Sequence, residues 1–150
     1  MSEKPNAYIL IGAPGAGKSF YCGGHFEGLK IISCDEIREG IFGFKRSYEI
    51  RRQVRSFLFY EISKIADEYM DFVIDSTYYN FKIERQSLFE LLYNYNIHAI
   101  YIDSTIDNCI KRNKIRPSER VVSEEIIRDF HLNIQPPSPS EGFKTIIIIS

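Results

Sequence analysis

The sequence predicts an α/β fold, a parallel sheet covered on both faces by helices, and three observations carry it. Apolar strand-like runs recur at Tyr8–Ile11, Leu29–Ser33, Asp71–Ile74, Ile97–Ile102 and Lys144–Ile149. Segments with helical periodicity separate them, the alternation expected of parallel strands joined by crossover helices. The last run, Ile146-Ile147-Ile148-Ile149, is continuous rather than alternating, which predicts a strand buried on both faces. The first run leads straight into Gly12-Ala13-Pro14-Gly15-Ala16-Gly17-Lys18-Ser19. This octet fits G-x-x-x-x-G-K-[ST] at every fixed position, a motif that sits between a strand and a helix.

The bulk numbers narrow the field. At 150 residues the chain is one domain, long enough to bury about 70% of the surface its unfolded form exposes. Hydrophobic residues make up 44% and charged residues 26%, as in ordinary soluble globular proteins. A net charge of −1 leaves no global field to draw in nucleic acid, so a polyanion site has to be a local patch. Cys22, Cys34 and Cys109 are too few and too scattered for a disulfide framework or a zinc site, which fits a cytoplasmic setting. The N-terminal MSEKPN lacks the apolar core of a signal peptide. No apolar run reaches membrane-spanning length.

Taken in order, the first strand ends at the glycine-rich octet. Its glycines allow the backbone to double back so that successive N–H groups converge on phosphate oxygens. A helix starting at Gly17 adds its positive dipole end to the same anion site. Lys18 is placed to reach the β- and γ-phosphates, and the Ser19 hydroxyl to coordinate Mg²⁺. Gly23-Gly24 is a poor helix interior, so this helix should end near His25, read as a turn residue.

The second strand, through Ile31-Ile32-Ser33-Cys34, ends in Asp35, with Arg38 three residues on. In open α/β sheets ligands gather at the carboxyl ends of strands, so Asp35 should face the same edge as the glycine loop. A carboxylate there can take the proton of an attacking hydroxyl. Arg38, one helical turn away, can hold an anionic group on the acceptor. The plainer alternative makes Asp35 a helix N-cap with a surface arginine behind it.

The longest helix should run from Ser47 to Met70, with Ile50, Val54, Phe57, Leu58, Ile62, Ile65 and Tyr69 on one apolar face. Lys45, Arg46, Arg51, Arg52 and Arg55 cluster at its start, either as a solvated face or as a rim that follows a phosphate backbone. The third strand ends in Asp75-Ser76-Thr77. Asp75 either joins the Mg²⁺ shell or pairs with Arg38; Thr77 either bonds the acceptor or caps the next helix. Leu88, Leu91, Leu92 and Tyr95 mark a further helix, and Ser123–Asn133 the last, with Ser123 as N-cap. Between residues 111 and 120, six of ten residues are charged and five are positive. That loop is either a solvated basic connection or a lid over the phosphates. The run Gln135-Pro136-Pro137-Ser138-Pro139-Ser140 reads as an ordered, non-helical linker into the last strand.

In order, GAPGAGKS, CDEIR, VIDST with NFKIER, KRNKIRPSERVVSEEII and QPPSPSEGF resemble the kinase domain of 5′-hydroxyl polynucleotide kinases and related P-loop kinases, over nearly all 150 residues. The resemblance implies a single P-loop kinase domain over 1–150: a five-stranded parallel sheet of order 2-3-1-4-5 with an arginine-bearing lid at about 112–122. It implies transfer of the γ-phosphate of ATP, with Mg²⁺, to a 5′-hydroxyl end of DNA or RNA. Gly12, Pro14, Gly15, Ala16, Gly17, Lys18, Ser19 and Phe20 would surround the ATP phosphates, and Ser19 the metal. Asp35 would be the general base, with Arg38 on the acceptor's 3′-phosphate. Arg116 would be the lid arginine on the β/γ-phosphates, flanked by Arg112 and Arg120. Asp75 and Thr77 complete the substrate-side set. Phe20 stands where the family has Thr, and Tyr78 where its D-x-T-N signature has Asn. No D-x-D-x-T phosphatase or K-x-D-G ligase motif occurs, so neither activity is expected of this chain. Phe42, Phe44, Tyr78 and Tyr79 are either packing residues or base-stacking platforms. The same scaffold also suits a small-molecule kinase acting on a nucleoside, sugar or sugar nucleotide, or an ATP-binding module without transfer activity.

Overall fold

A computed structural model describes residues 3–150; Met1 and Ser2, part of the N-terminal stretch read above, lie outside it. Five strands, β1 (Asn6–Ile11), β2 (Lys30–Ser33), β3 (Phe72–Asp75), β4 (Asn96–Ile102) and β5 (Thr145–Ile149), form one sheet of order β2-β3-β1-β4-β5. Every pairing is parallel, so all strands end at one edge, as the alternation of elements requires. Among the described residues six α-helices cover the faces: α1 (Lys18–His25), α2 (Cys34–Phe42), α3 (Tyr48–Asp67), α4 (Lys82–Leu91), α5 (Ile106–Lys114) and α6 (Glu124–Asn133).

The sheet divides the core in two. Ile9 and Ile11 of β1 face Leu58 and Ile62 of α3 and Leu88 of α4, whereas Leu10 joins Cys109 of α5 and Ile127 of α6 on the other side. The period-two alternation of side chains along β1 thereby supplies both layers. On α3, Ser47 caps the helix by accepting from the Ile50 N–H at 3.1 Å. The buried Val54, Leu58, Ile62 and Ile65 make the stripe. No helix of the described residues is long and apolar enough to cross a membrane.

Four expectations change. The long helix stops at Asp67, because Tyr69 takes a left-handed φ of 54° and its N–H turns back to the Ala66 carbonyl; Tyr69 and Met70 are exposed. Tyr95 is not helical. Its ring packs on Phe72 and its hydroxyl donates to the Met70 carbonyl at 2.8 Å. The last strand is not buried on both faces. It lies at the sheet edge, paired with β4 alone, and Ile147 and Ile148 are 44% and 61% exposed. The proline-rich linker is ordered, but Pro139–Glu141 closes a single 3₁₀ turn.

That linker is fastened from below. Arg85, fully buried on α4, donates to both carboxylate oxygens of Glu141 at 2.7 and 3.1 Å and to the Tyr79 carbonyl at 2.9 Å. Burial works against the Glu141 carboxylate, but the bonds from Arg85 and Ser138 outweigh it and hold its pKa below the usual 4.5. A depressed carboxylate contributes stability that is full above its unfolded pKa and is lost as pH falls through the folded one. Urea unfolding at pH 7 should show Arg85→Ala less stable by about 3–5 kcal/mol, the cost of stranding one partner of a buried pair. Below pH 4.5 the wild type should lose stability toward the variant; parallel pH profiles would show that the pair does not carry this term.

Candidate active site

The glycine loop is shaped by its neighbours as much as by its own sequence. Gly15 and Gly17 hold φ of 81° and 106°, a region L side chains avoid. A Cβ at Gly15 would also run into the Cys109 carbonyl, and one at Gly17 would meet the Arg112 guanidinium at 3.1 Å. The Ala16 N–H closes the turn on the Ala13 carbonyl at 3.0 Å. Arg112 clamps the loop from α5 by donating to the Ala16 carbonyl. Asn80, fully buried, accepts from the Gly12 N–H and donates to the Gly12 carbonyl, both at 2.9 Å. This amide is the central anchor that sequence reasoning missed. It sits in Tyr78-Tyr79-Asn80, where nothing in spacing or composition marks it.

Lys18 is buried and its ammonium donates to the Gly12 and Ala13 carbonyls at 2.9 and 3.0 Å. Burial lowers its pKa, opposed by the nearby Asp75 and Asp35 carboxylates. The Ser19 hydroxyl donates to Asp75 Oδ2 at 2.7 Å. Asp75 therefore stands beside Ser19, and Arg38 pairs with Asp35 instead. Both of these oxygens are hard donors at the phosphate loop, a pair that fits Mg²⁺ completed by water and phosphate oxygens.

Opposite the loop, Asp35 lies in the first turn of α2. It is not the N-cap: Ser33 is, accepting from the Glu36 N–H at 3.3 Å. That frees the Asp35 carboxylate to meet Arg38 at 2.7 Å and Arg116 at 3.6 Å. Lys18, Ser19, Asp35, Arg38, Asp75, Thr77, Arg112 and Arg116 all line one cleft of about 510 Å³, as do Pro14, Gly15, Gly17 and Phe20. Phe20 is 90% exposed and covers nothing in the fold.

Thr77 does not cap the turn that follows; the Ser76 hydroxyl does, accepting from Tyr78 N–H at 3.0 Å. Arg120 is not brought to the phosphate loop. Its guanidinium is spent on Glu39 of α2 at 2.6 and 2.9 Å. The aromatics are packing residues where they are held. Tyr79 is fully buried, Tyr78 packs edge-on to Phe59 and Phe42 edge-on to Phe57. Helix α6, capped by Ser123, contributes Ile126 and Phe130, which with Val122 form an apolar wall of the cleft. Their four-residue spacing was a readable signal. Cys34 also lines the cleft, but burial raises its thiol to about 11, which leaves it inert near neutrality.

A parallel sheet of order 2-3-1-4-5 with a phosphate loop after its central strand defines a P-loop kinase fold. The chain matches the family model AAA_33, described as an AAA domain, over residues 8–137, and it belongs to that family. No curated protein matches it. Among solved structures the fold is similar to a chain of the Pnkp1/Rnl/Hen1 RNA repair complex, at a TM-score of 0.76 and 18% identity over 88% of this chain and 44% of that one. This chain thus spans less than half the length of that relative. It is equally similar to a putative kinase from Chloroflexus aurantiacus, at a TM-score of 0.76 and 17% identity, covering 99% and 86%. Deoxyadenosine kinase from M. mycoides follows at 0.61 and 16% identity, covering 97% and 89%. Polynucleotide-repair and small-molecule kinase structures therefore share this fold.

Asn80→Ala should destabilise the protein by about 1–3 kcal/mol, since it strands the buried Gly12 N–H and carbonyl. It should also weaken nucleotide binding measured by calorimetry. Wild-type nucleotide affinity in this variant would show that the Gly12 anchor does not shape the anion site.

Proposed function

We propose that the protein is an ATP-dependent kinase that transfers the γ-phosphoryl group to a 5′-hydroxyl end of DNA or RNA. The observation that carries this reading is the shared cleft: the Asp35 carboxylate, flanked by Arg38, opens onto the same space as Lys18 and Ser19. A hydroxyl bound at Asp35 meets a phosphate bound at the loop without any element having to cross the sheet.

In this reading the backbone N–H groups of Gly15, Gly17 and Lys18 cradle the phosphates, and the Lys18 ammonium exchanges its loop carbonyls for phosphate oxygens. Ser19 and Asp75 hold Mg²⁺, which when bound offsets charge on the phosphate oxygens. Asp35 accepts the proton of the acceptor hydroxyl. Arg38, one turn along α2, takes the acceptor's phosphate in bidentate fashion and so orients the hydroxyl. Arg116 reaches Asp35 from the lid, at the border between the two substrates, where a guanidinium stabilises the transferred group. Arg112 already contacts the loop and supports the same charge.

The balance of charge favours a phosphorylated acceptor over an uncharged sugar or nucleoside. Lys18, Arg38, Arg46, Arg51, Arg112 and Arg116 line the cleft against only Asp35 and Asp75. Arg46 and Arg51 form no ion pair among the described residues, so the cleft carries positive charge that an anionic acceptor complements.

The test is transfer of labelled γ-phosphate from ATP to a 5′-hydroxyl oligonucleotide, beside a panel of nucleosides and sugars. Lys18→Ala should abolish transfer. Asp35→Ala should lower kcat by about 10² to 10⁴, the usual range for a lost general base. Wild-type turnover in that variant removes Asp35 from the chemistry. Arg38→Ala should raise KM for the acceptor more than for ATP. Labelling of a metabolite alone would move the protein to the small-molecule kinases. Release of free phosphate without a labelled acceptor would make it an ATPase.

A further inference from the structure

The basic run at the start of α3 does not act as one surface. Arg52 pairs with Glu49 at 3.8 Å. Arg55 pairs with Glu84 at 3.3 Å and lies over the Tyr78 ring at 4.7 Å. Neither lines the cleft. Arg46 and Arg51 do, and among the described residues neither forms an ion pair with a carboxylate. Among the described residues the Arg46 guanidinium bonds only the Glu119 carbonyl, at 3.2 Å.

We propose that Arg46 and Arg51 form a second phosphate subsite beyond Arg38, which takes the phosphodiester one nucleotide further along a polynucleotide acceptor. This rests on the kinase reading above and deepens it by setting the length of acceptor the cleft is built for. The other cations of the cleft have work elsewhere. Lys18 and Arg112 bond the phosphate loop, and Arg38 and Arg116 flank Asp35. Arg46 and Arg51 remain, on a different part of the chain. From Arg38, α2 carries the backbone about 6 Å to its last residue, and Arg46 lies in the connection between α2 and α3.

The cluster is also short of anions. Burial, and the like charges of Arg38 and Arg116, pull Arg46 below its ordinary pKa. The Arg38 Nε is buried with no hydrogen-bond partner, a donor left over beside the pair. A chain of phosphates running outward from Asp35 satisfies these groups in turn, whereas a single phosphate at Arg38 leaves two guanidiniums facing solvent. Because Arg46 also holds the lid, a phosphate bound there sits under the segment that carries Arg116.

The test compares two acceptors with 5′-hydroxyls: a nucleoside 3′-monophosphate, with one phosphate, and a dinucleotide bearing a 3′-phosphate, with two. In the wild type kcat/KM should rise about tenfold or more from the first to the second, the effect of about 1.4 kcal/mol. In the Arg46→Gln, Arg51→Gln double variant that ratio should fall to within about twofold, while Arg52→Gln keeps it. Equal efficiencies in the wild type, or a ratio that survives the double variant, overturns the subsite. If neither acceptor is phosphorylated, and the oligonucleotide assay above also yields no labelled end, the polynucleotide-kinase reading falls. The subsite is then decided by binding of a labelled single-stranded 5′-hydroxyl oligonucleotide at several salt concentrations. The log–log slope should lessen by about 0.7 per lost phosphate contact in the double variant, and an unchanged slope overturns it.

Discussion

The register of three adjacent strands is the constraint on which the site depends. Asp75, the last residue of β3, lies beside Leu10 of β1 on one side and Ser33 of β2 on the other. Two residues past Leu10 the glycine loop begins, and two past Ser33 comes Asp35. A parallel sheet in this order ends all three strands at one edge, so the anion cradle, Asp75 and Asp35 have no other place to be. A one-residue slip of β3 would turn Asp75 to the opposite face. The large apolar burial that fixes the register is therefore what places three small polar groups within reach of one another.

The loop itself is held by polar contacts from outside its own segment. Asn80 fastens its first residue, Arg112 its middle, and Asp75 the hydroxyl of Ser19. Each is a long-range contact, and the first is fully buried, where an unmet hydrogen bond is costly. The cradle is thus already formed, so little ordering has to accompany the arrival of phosphate, which is how a rigid site improves binding. The basic segment after α5 is attached differently. Arg116 to Asp35, Arg120 to Glu39 and Arg46 to the Glu119 carbonyl all tie it to the α2 side. These groups are partly solvated, and such pairs contribute roughly 0–1 kcal/mol each. Such solvated contacts are weaker than the buried bonds that hold the cradle.

The fold was largely legible because its signals are local and repeated. Five apolar runs, the helical patterns between them and the glycine octet each announce themselves within a dozen residues. The errors came where position in the sheet overrides pattern. Four consecutive isoleucines read as a strand buried on both faces, yet β5 pairs on one side only and leaves Ile147 and Ile148 in solvent. Tyr95 fits helical spacing, but its hydroxyl is better satisfied at the Met70 carbonyl than on a helix. Arg120 was grouped with the other lid arginines by sequence distance, while its actual partner, Glu39, is 81 residues away.

From its sequence alone this protein had a phosphate loop, an α/β sheet and a short menu of charged residues near strand ends. Motif spacing determines those, because backbone geometry within one strand–loop–helix unit needs nothing from the rest of the chain. Which carboxylate Arg38 meets, that an unremarkable Asn80 fastens Gly12, and that Arg46 and Arg51 face the cleft while Arg52 and Arg55 turn away were decided only by tertiary structure. Hydrogen bonds and ion pairs act over a few ångströms in space, and residues far apart in the chain acquire such neighbours only when the sheet has closed.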